Sequence, residues 1–213
     1  MKANTIIFDL DNTIYSESDY FHCVFSQFCE GNNIDFEIFQ FLFDDFDYFR
    51  FNKKDIFKFA LEEVNLFNES YHNQLFQLFV DIDCDIKPYS GIADWFEYCL
   101  NNNFKIAILT NGIIAAQNNK WQCLNLTNKE KCHFVPARTF QHEKPSMDAF
   151  EGILKQLNVS WDQCIFVGDR YENDIEQGIK NESQGMLIGN KLNHINVPSF
   201  ESIQEAFNYF QTL

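Results

Sequence analysis

Short apolar runs alternate with amphipathic stretches along most of the chain. The runs are rich in β-branched and aromatic residues, which is typical of buried strands. They lie near residues 4–8, 104–109, 133–137, 164–167 and 186–189. Between them, apolar residues recur at helical spacing. Because strands that alternate with helices indicate a parallel sheet with right-handed crossovers, the sequence predicts an α/β fold with a Rossmann-like parallel sheet core.

Three stretches outside the predicted strands carry a clear helical pattern. Their apolar stripes begin at Ile92, Ala149 and Ile203 and continue at helical spacing. Ser202 and Glu205 have the spacing of a capping box, which predicts the start of the last helix. We expect each stripe to pack on the sheet.

Residues 15–86 do not follow this alternation. Three apolar stripes at helical spacing, with no convincing strand, predict an all-helical insert directly after the first strand. The stripes run from Phe21 to Phe28, from Ile56 to Val64 and from Leu75 to Ile82. Most of the 25 phenylalanines fall here, which predicts a Phe-rich helical core, with an aromatic substrate pocket as the alternative. Residues 1–14 and 87–213 would then form the α/β domain.

Two aspartates follow the first predicted strand at once. Asp9 and Asp11 are separated by one residue and come directly after the apolar run that ends at Phe8. Open α/β sheets bind ligands at the carboxyl ends of their strands. Crowded carboxylates there need a cation or a proton between them, and Mg²⁺ prefers hard oxygen ligands. Asp9 could then act as a nucleophile and Asp11 could transfer protons, although a simple Asp-x-Asp turn has the same pattern.

Two later motifs could hold a phosphoryl group. Thr110, Asn111 and Gly112 follow the second predicted strand, where a hydroxyl and backbone N–H groups can bind phosphate oxygens. An Asn-Gly turn is the alternative. Lys144 precedes Pro145, which we place at the first position of a helix. A lysine fixed there could neutralise both a phosphate and a nearby aspartate, and a solvated surface lysine is the alternative.

A fourth motif follows the strand near residues 164–167. Gly168 lets the backbone turn tightly, Asp169 lies at the strand end and Asp174 comes one loop later. The two carboxylates could converge on a shared cation, and an acidic loop is the alternative. Four strand-end motifs of complementary chemistry, in this order, are not expected by chance.

The ordered set of motifs resembles the haloacid dehalogenase-like hydrolase superfamily. The resemblance rests on Asp9–Thr13, Thr110–Gly112, Lys144–Pro145 and Gly168–Asp174, and it extends from about residue 5 to about residue 190. For residues 15–86 it implies a type 1 helical cap, which closes over the active site and selects the substrate.

The resemblance also implies catalytic roles. Asp9 would attack phosphorus and form an aspartyl-phosphate, and Asp11 would protonate the leaving group and then activate water. Thr110, Asn111 and Lys144 would bind the transferring phosphoryl group. These roles suit a reaction that needs mainly positioning and charge stabilisation.

A magnesium site is implied by the same resemblance. Asp9, the Asp11 carbonyl, Asp169 and Asp174 would organise Mg²⁺. Arg170 is a departure, because many family members have a small hydroxyl residue there.

Asp11 also indicates the branch of the family, since the true dehalogenases lack an aspartate at that position. The predicted activity is therefore a Mg²⁺-dependent phosphatase that hydrolyses a small phosphorylated metabolite. Sugar phosphates, phosphoglycolate and nucleoside monophosphates are candidate substrates. A phosphomutase of the same fold and a non-catalytic phosphometabolite-binding protein are the alternatives.

Arginines are scarce in so acidic a chain, so each one is a candidate for anion recognition. Arg50, Lys53 and Lys54 form the clearest basic cluster of the predicted cap. Arg50 could recognise a carboxylate or a second phosphate of the substrate, and a solvated surface cluster is the alternative.

Charge and cysteine content indicate which binding partners and which cellular compartment to expect. A formal net charge of −15 argues against a nucleic acid partner, because phosphate backbones bind basic patches. The seven cysteines are odd in number and lack Cys-x-x-Cys spacing, which predicts reduced thiols rather than disulfides or a zinc site. We find neither a leader pattern nor a membrane-length apolar run, so the sequence predicts a cytoplasmic protein without membrane association.

Overall fold

Six parallel strands form one sheet in the computed structural model, which describes residues 3–189 and 197–213 of the chain. The strands are β1 (Thr5–Phe8), β2 (Lys105–Thr110), β3 (His133–Pro136), β4 (Cys164–Gly168), β5 (Gln184–Ile188) and β6 (Ser199–Phe200). Their order across the sheet is β3-β2-β1-β4-β5-β6. The prediction of an α/β fold with a parallel sheet is confirmed.

Helices occupy most of the remaining described chain. The α-helices are α1 (Glu17–Asn32), α2 (Gln40–Asp44), α3 (Phe46–Asn52), α4 (Ile56–Glu63), α5 (Glu69–Asp81), α6 (Ile92–Asn101), α7 (Ile114–Cys123), α8 (Met147–Leu157), α9 (Glu176–Lys180) and α10 (Ile203–Phe210). A π-helical segment, Tyr171–Ile175, precedes α9. Five of the α-helices, α1 to α5, fall within residues 15–86, where the sequence predicts helices alone.

Strand β1 lies in the middle of the sheet. Ile6 is paired with Ile106 of β2 on one side and with Ile165 of β4 on the other. All four residues of β1 are buried, as expected of a parallel strand that is covered on both faces. The segments that follow β1, β2 and β4 therefore meet at one edge of the sheet.

Phenylalanine rings build the core among helices α1 to α5. Phe21, Phe25 and Phe28 of α1 are buried at helical spacing. Phe21 lies 5.2 Å from Phe79 of α5, and Phe25 lies 5.0 Å from Phe39, measured between ring centroids. Edge and tilted contacts of this kind stabilise aromatic cores beyond their buried area. The Phe-rich helical core is present as predicted.

Three local predictions differ from the structure. Pro145 lies ahead of the N-cap Ser146 of α8, not at the first helical position, and the Lys144–Pro145 peptide is cis. Ser202 accepts a hydrogen bond from the Glu205 N–H, but the Glu205 side chain accepts from the Glu201 N–H instead of completing a capping box. The two-residue strand β6 was not predicted, because it is too short to carry a periodic pattern.

Two further findings concern membrane-spanning helices and the cysteines. Within residues 3–189 and 197–213, no helix combines the length and the apolar character needed to cross a membrane. All seven cysteines are free thiols.

The phenylalanine core provides a test of stability. Phe25 is fully buried, whereas Phe76 on α5 is 42% exposed. We expect Phe25→Ala to lower the free energy of unfolding by about 3–5 kcal/mol, because it removes buried apolar surface and leaves a cavity. The matched control Phe76→Ala should change it by less than about 0.5 kcal/mol. Urea unfolding followed by circular dichroism measures both, and equal effects would contradict the assigned core.

Candidate active site

The chain turns sharply after β1 and presents two aspartates at the edge of the sheet. The Asp9 N–H donates to the Val167 carbonyl over 2.8 Å, which extends the pairing with β4 by one residue. Asn12 then adopts a left-handed conformation, with a φ of 57°. Its side chain accepts a hydrogen bond from the Glu17 N–H at the start of α1. This turn fixes Asp9 and Asp11 relative to the first helix.

Three carboxylates converge beside the end of β1. Oxygen atoms of Asp9, Asp169 and Asp174 lie within 4.8 Å of one another, and these residues form the one such acidic or thiol cluster among the described residues. Gly168 permits this approach, because a Cβ there would lie 2.4 Å from the Asp174 Cβ. The three predicted metal-site carboxylates are thus brought together by the ends of β1 and β4.

Lys144 joins two of these carboxylates. Its Nζ lies 2.7 Å from Asp9 Oδ1 and 2.6 Å from Asp174 Oδ1, and the side chain is buried. The Asn111 side chain holds the lysine backbone: its Nδ2 donates to the Lys144 carbonyl over 2.7 Å, and its Oδ1 accepts from the Lys144 N–H over 2.8 Å. The loop after β2 therefore sets the position of Lys144.

Burial and mutual repulsion dominate the electrostatics of the cluster. Burial, with Asp174 and Asp11 nearby, raises the pKa of Asp9 to about 7 despite the opposing effect of Lys144. Burial and the charges of Asp9 and Asp174 raise the pKa of Asp169 to about 8. Burial alone would lower the pKa of Lys144, but the facing carboxylates raise it overall. A carboxylate cluster with one lysine remains short of positive charge, which suits a hard divalent cation.

Asp11 is held by a different set of side chains. Lys120 of α7 donates to both of its oxygens, over 2.9 and 3.0 Å. The Tyr15 hydroxyl donates to Asp11 Oδ1, and Gln117 Nε2 donates to Oδ2 over 3.2 Å. The Asp11 side chain keeps 17% of its surface exposed. Its carboxylate is therefore fixed by the protein and still reaches open space.

Lys120 also links this aspartate to the helices that follow β1. Its Nζ lies 3.0 Å from Glu17 Oε1 on α1, and Glu17 in turn pairs with Arg50 of α3 at 3.2 Å. Burial would raise the pKa of Glu17, but Lys120 and Arg50 hold it below its usual value. Charges of alternating sign thus run from Arg50 through Glu17 and Lys120 to Asp11.

Two adjoining cavities open onto these groups. The smaller, of about 140 Å³, is lined by Asp9, Asp11, Thr110, Lys144 and Arg50 among others. The larger, of about 610 Å³, adds residues 43–47 of α2, α3 and the turn between them, together with residues near α1 and after β5, and it shares Asp169 and Arg170 with the smaller one. The Arg170 guanidinium carbon lies 4.4 Å from the centroid of the Phe51 ring of α3. Together the cavities have the size of a small-molecule site.

The family-level comparison matches the geometry. The sequence model described as haloacid dehalogenase-like hydrolase matches residues 6–186, which include all four motifs at the sheet edge. This chain belongs to the haloacid dehalogenase-like hydrolases. A search of curated proteins finds no match.

Solved structures of haloacid dehalogenase-like hydrolases share the fold. The hydrolase YfnB from Bacillus subtilis, solved with bound magnesium, has a TM-score of 0.70 at 15% identity and covers 99% of this chain and 100% of its own. A protein assigned as a β-phosphoglucomutase from Thermotoga maritima has a TM-score of 0.73 at 14% identity, with 99% of each chain covered. A 2-haloacid dehalogenase from Pseudomonas syringae pv. Tomato has a TM-score of 0.63 at 14% identity, again with 99% of each covered.

The sequence-predicted site residues of this haloacid dehalogenase-like hydrolase all line the smaller cavity. They are Asp9, Asp11, Arg50, Thr110, Asn111, Lys144, Asp169 and Asp174. The Asn111 side chain faces the Lys144 backbone, so a phosphate contact through that side chain stays a prediction. Arg50 turns toward Glu17, whereas Lys53 of the same predicted cluster lies over the Phe59 ring.

Four residues around Asp11 were not identified from the sequence. They are Tyr15, Glu17, Gln117 and Lys120. The spacing of α7 carried a signal, because Gln117 and Lys120 lie three residues apart and share its buried side with Ala116. Polar side chains on a buried helix face need hydrogen-bonding or charged partners. Here those partners come from the turn after β1 and from α1.

The raised carboxyl pKa values predict how the metal-free protein responds to pH. A carboxyl group whose pKa is higher in the folded than in the unfolded chain binds its proton more tightly when folded, so stability falls as pH rises from about 4 toward 8. Asp169→Asn removes one such charge. We expect this variant in EDTA to melt roughly 2–4 °C above wild type at pH 8 and close to it at pH 5.

Thermal melts of both proteins at the two pH values measure this difference. Asp94→Asn, which removes an exposed aspartate of α6, is the control and should shift the melting temperature little at either pH. An equal shift of Asp169→Asn at pH 5 and pH 8 would contradict the repulsion assigned to the cluster.

Proposed function

We propose that the protein is a Mg²⁺-dependent phosphatase that hydrolyses a small phosphorylated metabolite through an aspartyl-phosphate on Asp9. The observation that carries the proposal is the cluster of Asp9, Asp169 and Asp174 within 4.8 Å, bridged by Lys144 and adjoined by Asp11 in one cavity. Asp9 is then the nucleophile, Asp11 is the proton-transfer group, and Lys144 neutralises the charge of the phosphoryl group.

The donor set fits the proposed cation. Its groups are carboxylate oxygens, which are the ligands that Mg²⁺ prefers, and burial together with the neighbouring carboxylates raises the pKa of Asp9 and of Asp169. Asp9, Asp169 and Asp174 would hold Mg²⁺ with the Asp11 carbonyl. Both oxygens of Asp174 also accept hydrogen bonds, from Lys144 and from the Arg170 N–H, which orient its carboxylate. When bound, the ion would offset negative charge on the transferring phosphoryl group.

The side chains support a two-step reaction. In the first step an Asp9 carboxylate oxygen attacks phosphorus, the bond from phosphorus to the leaving oxygen breaks, and Asp11 gives its proton to that oxygen. In the second step Asp11 takes a proton from a water molecule, whose oxygen attacks phosphorus and releases Asp9 with inorganic phosphate. Lys144 and Thr110 line the same cavity and would bind the phosphoryl oxygens.

Residues 15–86 would serve as the cap of the enzyme. Helix α3 of this segment contributes Arg50 and Phe51 to the cavity, so it forms one wall of the substrate site. The combined cavity suits a small metabolite such as a sugar phosphate, phosphoglycolate or a nucleoside monophosphate. Seven free thiols suit a reducing, cytoplasmic setting.

Phosphate release tests this function. The purified protein with Mg²⁺ is offered glucose 6-phosphate, phosphoglycolate, uridine monophosphate and 4-nitrophenyl phosphate. We expect release from at least one ester, a fall of more than about a thousandfold in Asp9→Asn, and normal rates in the surface control Asp94→Asn. EDTA should stop release, and added Mg²⁺ should restore it.

Other outcomes would redirect the assignment. Wild-type activity in Asp9→Asn would exclude Asp9 as the nucleophile, and full activity after exhaustive chelation would remove the metal from the mechanism. Transfer of phosphate between two positions of a sugar phosphate, without release, would identify a phosphomutase. No turnover of any kind would favour a binding protein.

Arg50 is the cap residue proposed to select the substrate. Its side chain is 38% exposed and lines the cavity that holds Asp9. We expect Arg50→Ala to lower kcat/KM by about tenfold or more for esters with a second anionic group, because it removes a charge-assisted hydrogen bond. An ester without that group should lose much less, and Lys53→Ala should affect neither. Steady-state kinetics on phosphoglycolate and 4-nitrophenyl phosphate make the comparison, and equal losses would contradict this role.

A further inference from the structure

Lys120 is a fully buried lysine on α7 whose charge is shared between two segments of the protein. Its Nζ contacts both oxygens of Asp11 and one oxygen of Glu17. The rings of Tyr20 on α1 and Phe79 on α5 each lie 5.4 Å from the same nitrogen. Carboxylates and aromatic rings thus surround the ammonium group.

This arrangement constrains Asp11 more than a simple ion pair would. Lys120 contacts the two carboxylate oxygens over 2.9 and 3.0 Å, so it fixes the rotation of the carboxylate as well as its position. Gln117 Nε2, from the same helix, donates to Oδ2. Tyr15 secures Oδ1 from the turn after β1. Helix α7 therefore provides two of the three side chains that orient Asp11.

We propose that Lys120 is a positioning residue for Asp11, and that its ion pair with Glu17 ties the position of Asp11 to the first cap helix. The inference rests on the proposed phosphatase function, in which Asp11 delivers the proton to the leaving oxygen. Lys120 contributes no atom to the reaction. It keeps the Asp11 carboxyl at the cavity wall, where that proton is needed.

The chemical consequence depends on the leaving group. As the bond from Asp9 to phosphorus forms and the ester bond breaks, an alkyl oxygen leaves poorly unless Asp11 protonates it. A 2,4-dinitrophenolate disperses its charge into the ring and needs little protonation. Loss of Asp11 positioning therefore slows hydrolysis of an alkyl ester and spares hydrolysis of the dinitrophenyl ester. A general disturbance of the site slows the hydrolysis of both esters.

The experiment compares kcat/KM of Lys120→Met and wild type with Mg²⁺ on the best alkyl phosphate of the panel and on 2,4-dinitrophenyl phosphate. This parameter reports the steps up to departure of the leaving group. We expect a loss of about 100-fold on the alkyl ester and of less than about threefold on the aryl ester, since proton transfer contributes about 10²–10⁴-fold. The effect should fall on kcat more than on KM.

A second variant guards against misfolding. Lys120→Met alone leaves Glu17 and Asp11 facing each other without their shared cation, so Lys120→Met with Glu17→Gln removes one charge of each sign. The double variant should melt near wild type and show the same selective loss. Lys129→Met is the matched control, because Lys129 donates to carbonyls at the end of α7 and does not contact Asp11. It should show no selectivity between the esters.

Each outcome has one meaning. Equal losses on both esters, or no loss, in a variant that melts like wild type would overturn the positioning role. A wild-type protein that releases phosphate from neither ester would overturn the proposed function, and the inference with it. In an Asp11→Asn background, Lys120→Met should cause no further selective loss, and a further selective loss would show that Lys120 acts independently of Asp11.

Discussion

Buried carboxylates have to be neutralised, and at this sheet edge that requirement falls on two lysines. Lys144 pairs with Asp9 and Asp174, and Lys120 pairs with Asp11 and Glu17. Each lysine is buried and shared by two acids. Removal of Lys144 would leave Asp9 and Asp174 without a side-chain cation, and removal of Lys120 would leave Asp11 without one, whereas Glu17 would keep Arg50. These two lysines link the turn after β1, the start of α1 and the segments after β2 and β4.

The two lysines divide the site into two parts. Around Lys144 the acids outnumber the cations, and this imbalance makes the Asp9 side suitable for a metal ion and a phosphoryl group. Around Lys120 and Arg50 the charges of Asp11 and Glu17 are matched one for one. In a chain with a formal net charge of −15, Arg50, Lys144 and Arg170 are the basic residues that line the smaller cavity.

The strands and the motif residues could be predicted because their signals are local. An apolar run followed by Asp9 or by Asp169 defines a strand and its carboxyl end within a few residues of sequence. For Lys120 the one local signal was its spacing from Gln117 on α7, and that spacing does not identify its partners. Its partners Asp11 and Glu17 lie more than 100 residues away, and a buried lysine becomes intelligible only when they are in place.

Individual hydrogen-bond partners could not be predicted from the sequence for the same reason. The pairing of the Asn111 amide with the Lys144 backbone joins loops that are 33 residues apart, so residue type alone indicated a phosphate ligand. Helix α8 begins two residues after Pro145, and the Glu205 side chain accepts from the Glu201 N–H. Both are choices between neighbouring hydrogen-bond partners of similar energy.

The central position of β1 in the sheet also determines when its pairing partners become available during synthesis. Thr5 pairs with Lys105 and with Cys164, so the first strand leaves the ribosome long before either of its neighbours exists. Helices α1 to α5, which are complete at Asp81, follow it directly and can gather their local contacts during that interval. The nascent chain therefore carries an apolar strand without any partner until Lys105–Thr110 has been made, and with one open edge until Cys164–Gly168 follows. Exposed apolar strand edges of this kind are prone to aggregate during synthesis.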